Sequence, residues 1–387
     1  MTDDARRPGR LESIDVVRGV IMIIMALDHV RDYFGMRVNP TNLATTTVPL
    51  FLTRWITHIC APTFFLLTGT GAFLALRSKT VPELSRFLLT RGLWLILLEV
   101  TVVRFNFQFN IDYQVTLLLV IWALGWAMIT LSALVWLPAS AVAAIGVLLI
   151  AGHHLFDGVS STHPLWILLH RPGFLINTPG FVVFSGYPLI PWIGVTAVGF
   201  GLGHVVAWGP ERRRPALLRI GLALLVAFVA LRLANVYGDP APWKTQSTMV
   251  MTVLSFINVT KQPPSLQFLL LTLGSAVLFL RAVDRGTPRL LRPALTFGRV
   301  PMFYFLLHFP LIHLLAVVVC YAQYGAVHWM FESTDLATFP FVLPPGWGFS
   351  LPVVYGIWVL VVVMLYPPCR WFAGVRQRRR DPWLSYL

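Results

Sequence analysis

A chain of 387 residues that is 57% hydrophobic and only 12% charged, with a mean hydropathy of +0.72, lies far from the roughly 25% charged residues of an ordinary soluble domain. It reads as an all-α integral membrane protein, a single domain spanning 1–387. The net charge of +14 therefore reports topology and not nucleic-acid binding, and the widely spaced Cys60, Cys320 and Cys369 argue against a disulfide framework or a zinc site, so no metal is expected.

Apolar stretches of the roughly 20 residues needed to cross a bilayer recur along the whole chain. They predict ten helices at 14–35, 51–76, 86–105, 114–135, 139–155, 188–208, 216–236, 264–284, 294–322 and 350–370. Only the Leu137-Pro138 turn separates the fourth from the fifth, and an eleventh span arises if Thr248–Val259 enters the bilayer. Arg residues precede the first helix as in a signal peptide, but Arg18, Asp28 and His29 within it, and the lack of a small-residue cleavage site, predict that it stays attached.

With the N-terminus inside, twenty Lys and Arg residues fall in the inner segments and six in the outer ones, which places both termini (1–13 and 371–387) in the cytoplasm. The longer outer loops 156–187, 237–263 and 323–349 carry Pro, Gly and the aromatics Trp166, Phe174, Trp243, Trp329, Phe341 and Trp347. They are suited to capping an outward cavity, although aromatics are also common at membrane interfaces.

Ionisable groups inside a bilayer cost about 2.5–3.5 kcal/mol on insertion scales and so face a protein interior or a wet cavity. At about 1.5 Å per residue, His29, His58, Glu99 and His308 fall in one layer in the outer third. Arg18, Arg91 and Arg299 form a second layer about 6–8 Å above the inner edge. Arg18 and His29 are eleven residues apart on nearly the same face of the first helix, so one helix links both layers. Asp15, Asp28, Asp32 and Arg54 lie within side-chain reach of them along the helices.

The plainer reading of each residue is interhelical glue. His58 stands near Pro62, whose missing N–H frees a backbone group that a polar neighbour can satisfy. His313, His204, His153 and His154 read as structural or interfacial. Gly69-Thr70-Gly71 and Gly199-Phe200-Gly201-Leu202-Gly203 look like phosphate loops, yet inside spans small residues serve close helix approach. Cys60 reads as packing.

The segments Arg10-Leu11-Glu12-Ser13-Ile14-Asp15-Val16-Val17-Arg18-Gly19, Met25-Ala26-Leu27-Asp28-His29-Val30-Arg31-Asp32-Tyr33-Phe34, Leu52-Thr53-Arg54-Trp55-Ile56-Thr57-His58-Ile59-Cys60-Ala61-Pro62-Thr63-Phe64, Tyr187-Pro188-Leu189-Ile190-Pro191-Trp192 and Phe297-Gly298-Arg299-Val300-Pro301, with Leu307-His308, together resemble prokaryotic proteins that carry the heparan-α-glucosaminide N-acetyltransferase catalytic domain. The resemblance implies a transmembrane acyltransferase that takes an acyl group from cytosolic acyl-CoA and places it on a sugar across the membrane. The Arg18-to-His29 spacing is also similar to the Arg and His pair of the wider acyltransferase-3 group. In one respect the chain departs: the loop Gly35–Leu50 has no His, where the eukaryotic lysosomal enzyme carries its catalytic one. That enzyme's mechanism and heparan substrate do not carry over.

The expected assignment makes His29 the acceptor base, with Asp28 or Asp32 orienting it and His58 the next choice. Arg18, Arg91 and Arg299 hold the phosphates of acyl-CoA, probed most simply as acetyl-CoA. Asp15, Asp32, Arg54, Glu99 and His308 support them. Expected partners are membrane lipid, the donor and a glycan or glycolipid acceptor, in a bacterial inner membrane. A proton-coupled transporter of a small solute is the alternative, because intramembrane His, Glu and Asp also build proton relays.

Overall fold

The computed structural model describes residues 11–333, 340–379 and 381–386. Arg6, Arg7, Arg10 and Arg380 of the orientation count lie outside the described residues. The chain forms a polytopic bundle of helices, and all ten expected apolar segments contain one. Seven are long and apolar enough to cross a membrane on length and composition alone: α2 and α3 together (Val48–Thr57, Cys60–Ala75), α7 (Ala139–Gly152, continued by a 3₁₀ turn to Phe156), α9 (Leu189–Val206), α10 (Pro210–Ala234), α12 (Leu266–Val283), α14 (Pro301–Tyr324) and α15 (Leu351–Arg378). The other three are α1 (Glu12–Phe34), α4 (Val81–Leu98, prolonged by a π-helical turn at Glu99–Val103 and α5 at Arg104–Gln108) and the shorter α6 (Val120–Leu134).

Prolines account for where helices break. Pro62 lacks the N–H that would bond the His58 carbonyl, and the chain tightens there, with the His58 N–H donating to the Trp55 carbonyl at 3.0 Å. Val300 takes an extended φ of −132° because Pro301 disfavours helix at the preceding residue. The expected single span 294–322 is thus two helices, α13 (Arg292–Arg299) and α14. Pro310 inside α14 leaves the Leu306 carbonyl without its helical donor, and the Asn106 side-chain amide supplies one at 3.1 Å.

Two expectations are corrected. The segment 114–135 opens with a strand, β1 (Val115–Leu118), which pairs in parallel with β3 (Phe181–Ser185); β2 (Gly173–Thr178) pairs antiparallel with β3. This small sheet gives the loop backbone the hydrogen bonds that a helix would have supplied internally. The helix in 248–259, α11 (Met249–Ile257), has only nine residues, about 14 Å at helical rise, too short to span about 30 Å. The remaining short helix, α8 (Pro164–Leu169), lies in the 156–187 segment.

Helix α1 is central and touches α2, α3, α12, α13, α14 and α15. Its closest neighbour is α13. A Cβ added at Gly19 would sit 1.8 Å from the Ala294 carbonyl oxygen, and one at Gly298 would sit 1.8 Å from that of Asp15. Only glycine permits this backbone-to-backbone approach, which in lipid replaces the hydrophobic effect as the means of association. The same device joins α3 to α9, where a Cβ at Gly69 would meet the Thr196 carbonyl oxygen at 1.9 Å. Gly69 and the glycines of Gly199-Phe200-Gly201-Leu202-Gly203 are helix contacts, as their position within spans predicts, whereas a Cβ at Gly71 would meet nothing within 4 Å.

Candidate active site

The end of α1 away from the arginine-rich loops carries His29. Its imidazole, 20% exposed, packs against Phe309 and His308 of α14, with ring centroids 4.4 and 5.2 Å apart, and against Phe107 at 6.4 Å. The packing brings together two of the four expected outer-layer groups. His308 is fully buried. Its Nδ1 faces the Phe305 carbonyl at 2.6 Å, which places the proton on Nδ1 and leaves Nε2 as a bare acceptor. That Nε2 has no hydrogen-bond partner among the described residues. Two imidazoles side by side, one half-open and one buried with a vacant lone pair, can take up and pass on a proton.

The carboxylates divide their work. Asp28 pairs with Arg54 of α2 and, at 2.9 Å, with Arg31, while it also lies in the electrostatic field of His29. Asp32, one helical turn on, lies 3.9 Å from His29 Nδ1 and also pairs with Arg31 at 2.7 Å. His58 is buried in another seam, edge-on to Phe268 at 5.5 Å, where it lines a cavity of about 90 Å³ with Trp55, Val259, Thr272 and Ser275. Glu99 accepts the Leu119 N–H at 2.9 Å and faces the first free amides of α6 at Ile121 and Trp122. A carboxylate there completes a helix N-terminus.

At the other end of α1, Arg18 bonds Asp15 at 3.2 Å and the Gly298 carbonyl at 3.1 Å, next in sequence to Arg299. Arg91 on α4 lies in the field of both Arg18 and Arg376. Arg376 of α15 donates to the Arg299 carbonyl at 2.8 Å. The three expected arginines therefore share one region, and α15 brings a fourth. In sequence Arg376 is one of five tail arginines and carries no mark of its own.

Lys261 is the other residue that sequence reasoning passed over, as one of six outer cations. The loop after α11 returns it to α1, where it interacts with Arg54, Asp28, Cys60 and Asp32. Burial and the Arg54 charge pull its ammonium down to about 8, against the opposing pull of Asp28. A roof of aromatics closes this end: the Trp347 indole donates to the Tyr33 carbonyl at 2.9 Å, the Phe349 N–H to that of Phe34 at 2.7 Å, and Phe341 packs on Tyr33.

Two charged clusters thus lie at opposite ends of a glycine-packed central helix, in a chain whose residues 10–235 match the family described as heparan-alpha-glucosaminide N-acetyltransferase, catalytic. The chain belongs to that family. Its membership makes it a membrane protein of an acetyltransferase family, as its apolar helices independently require. None of the curated proteins compared with the chain matches it at a significant level. The matched stretch runs from α1 to the end of α10, so Lys261, Arg299, His308 and Arg376 of the candidate site lie beyond it.

Proposed function

We propose that this family member moves an acetyl group from cytoplasmic acetyl-CoA to a hydroxyl or amine of a sugar or glycolipid at the outer face of a bacterial inner membrane. The observation that carries the reading is that α1 runs from the arginine cluster at Arg18 to the His29–His308 pair. Arg18 and Arg376 both act on Arg91 as like charges, and an anion with several negative oxygens suits such a cluster through charge-assisted hydrogen bonds. The phosphates of CoA are such an anion. The eleven residues from Arg18 to His29 span about 16 Å of helix, comparable to the pantetheine arm that carries the thioester.

At the far end His29 takes the proton from the acceptor as its oxygen or nitrogen bonds to the acetyl carbonyl carbon. The carbon–sulfur bond then breaks and CoA leaves as a thiolate, which is protonated on release. His308, with its bare Nε2, relays the proton, and Asp32 steadies the imidazolium. Asp28, bound by Arg54 and Arg31, holds α2 against α1.

The test is reconstitution in liposomes with radiolabelled acetyl-CoA and amino or neutral sugars. Labelled acetyl sugar is expected, with the KM for acetyl-CoA raised by Arg18→Lys and more by Arg18→Ala. Proton-driven solute uptake without acetyl transfer would overturn the reading in favour of a transporter.

A further inference from the structure

Away from α1, the outward end of α7 gathers three histidines and an aspartate. The chain leaves α7 through the 3₁₀ turn His153–Phe156, whose period of about three residues sets His154 over Asp157. His154 Nδ1 and Asp157 Oδ2 are 2.7 Å apart. The other carboxylate oxygen of Asp157 lies 3.5 Å from Nε2 of His170, the residue that ends α8. The His153 ring is 4.0 Å from that of His154 and 5.7 Å from that of His170. One ligand-type atom from each of His153, His154 and Asp157 lies within 4.8 Å of the others. The Arg171 guanidinium fixes the Asp157 carbonyl.

His153 is 2% exposed and His170 fully buried. Among the described residues, neither ring nitrogen of either side chain has a hydrogen-bond partner of good geometry. Buried imidazole nitrogens without a well-formed hydrogen bond are costly, since a buried polar atom left without a partner costs about 1–3 kcal/mol, and they call for an explanation. His154 is already committed: its Nε2 accepts the Leu266 N–H at 2.8 Å, so its proton is on Nδ1 and is donated to Asp157. That arrangement aims the carboxylate.

We propose that His153, His170 and Asp157 bind a divalent transition metal of the zinc class, with His154 positioning Asp157 from behind. Two imidazoles and a carboxylate suit such an ion, whose ligands lie at about 2.0–2.2 Å. The Pro264 and Phe156 carbonyls face the His153 and His170 rings, as outer acceptors do for the far N–H of metal-bound histidines. The ion would tie α7 and α8, and through His154 the first residue of α12, into one outer corner. It is separate from the His29 site and independent of the acetyl-transfer reading.

The experiment uses the full chain with a tag free of histidine, purified in detergent, stripped with EDTA, re-equilibrated with zinc, dialysed and assayed by mass spectrometry for metal. About one zinc per chain is expected, lowered about tenfold or more by His153→Ala or His170→Ala and unchanged by His204→Ala, a substitution on an exposed part of α9. Because either site variant could fail to fold, cobalt is also loaded into the unaltered protein, where visible bands of a low-coordinate nitrogen and oxygen site are expected. Zinc that washes out of the unaltered chain, equal retention in folded site variants, or the spectrum of aqueous cobalt would each overturn the proposal.

Discussion

At the residue scale, His29 and Lys261 make opposite demands on experiment. His29→Gln keeps much of the side-chain volume against Phe309 but removes the base, so kcat for acetyl transfer is expected to fall about 10²–10⁴-fold, with the melting temperature and the KM for acetyl-CoA nearly unchanged. Stopped-flow or radiolabel assays check this, and a loss below tenfold would move the base elsewhere. Lys261 is read by pH. With an ammonium that titrates near 8 and helps to neutralise Asp28 and Asp32, transfer is expected to decline as pH rises through 8. Lys261→Arg should move that limb above pH 10 and Lys261→Met should erase it. For folding the sign is reversed: a native pKa below the ordinary 10.5 means the unfolded chain holds more protons between about 8 and 10.5, so stability rises with pH across that window. A profile flat to pH 9.5 in the unaltered protein would contradict the role given to Lys261.

At the element scale, the crossing of α1 and α13 sets the distance between Arg18 and Arg299. The Cβ of Gly298→Ala would meet the Asp15 carbonyl oxygen at 1.8 Å, a backbone atom that cannot rotate aside. The helices must part, at a cost of about 1–3 kcal/mol or more, and the Arg18 bond to the Gly298 carbonyl goes with them. A melting temperature lowered by several degrees and a raised KM for acetyl-CoA are expected, whereas Gly71→Ala, which meets nothing within 4 Å, should be silent in both assays. The loop that carries Lys261 has its own anchor in Arg232. This buried guanidinium donates to the carbonyls of Ala241, Ser255, Phe256 and Asn258 and to the Gln267 side chain. Arg232→Met should leave α10 and α12 intact by circular dichroism but expose the 237–263 segment to protease, since several buried carbonyls lose their donors together.

At the scale of the whole molecule, the proposed placing of donor and acceptor at opposite ends of α1 predicts sidedness. Donor added to sealed right-side-out vesicles is expected to be inactive, while the same acetyl-CoA trapped inside should acetylate an external sugar. Scintillation counting of the external product decides between them, and equal activity from both faces would rule out a cytoplasmic donor site. The clamp of Arg213 and Arg214 on Asp284 at the arginine-rich face and the Trp347–Tyr33 contact at the other give each end of the bundle its own closure.

The sequence by itself determined the bundle, because about 20 apolar residues without a polar partner have no other stable arrangement in lipid. It also determined that charged residues within those spans must meet in the interior, and the α1 periodicity put Arg18 and His29 on one face. Which groups meet was decided only by tertiary structure. Four residues at one depth look equivalent along the chain, yet the rotation of α14 selects His308 for His29, the Pro62 break turns His58 toward Phe268, and the free amides of α6 claim Glu99. Asp28 and Asp32 are four residues apart, yet Arg54 of α2 pairs with the first while the second lies 3.9 Å from His29. Lys261, Arg376 and His170 carry no local signal, since each acquires its neighbours from elements far away in sequence, and depth along a helix says nothing about the direction in which its partners lie.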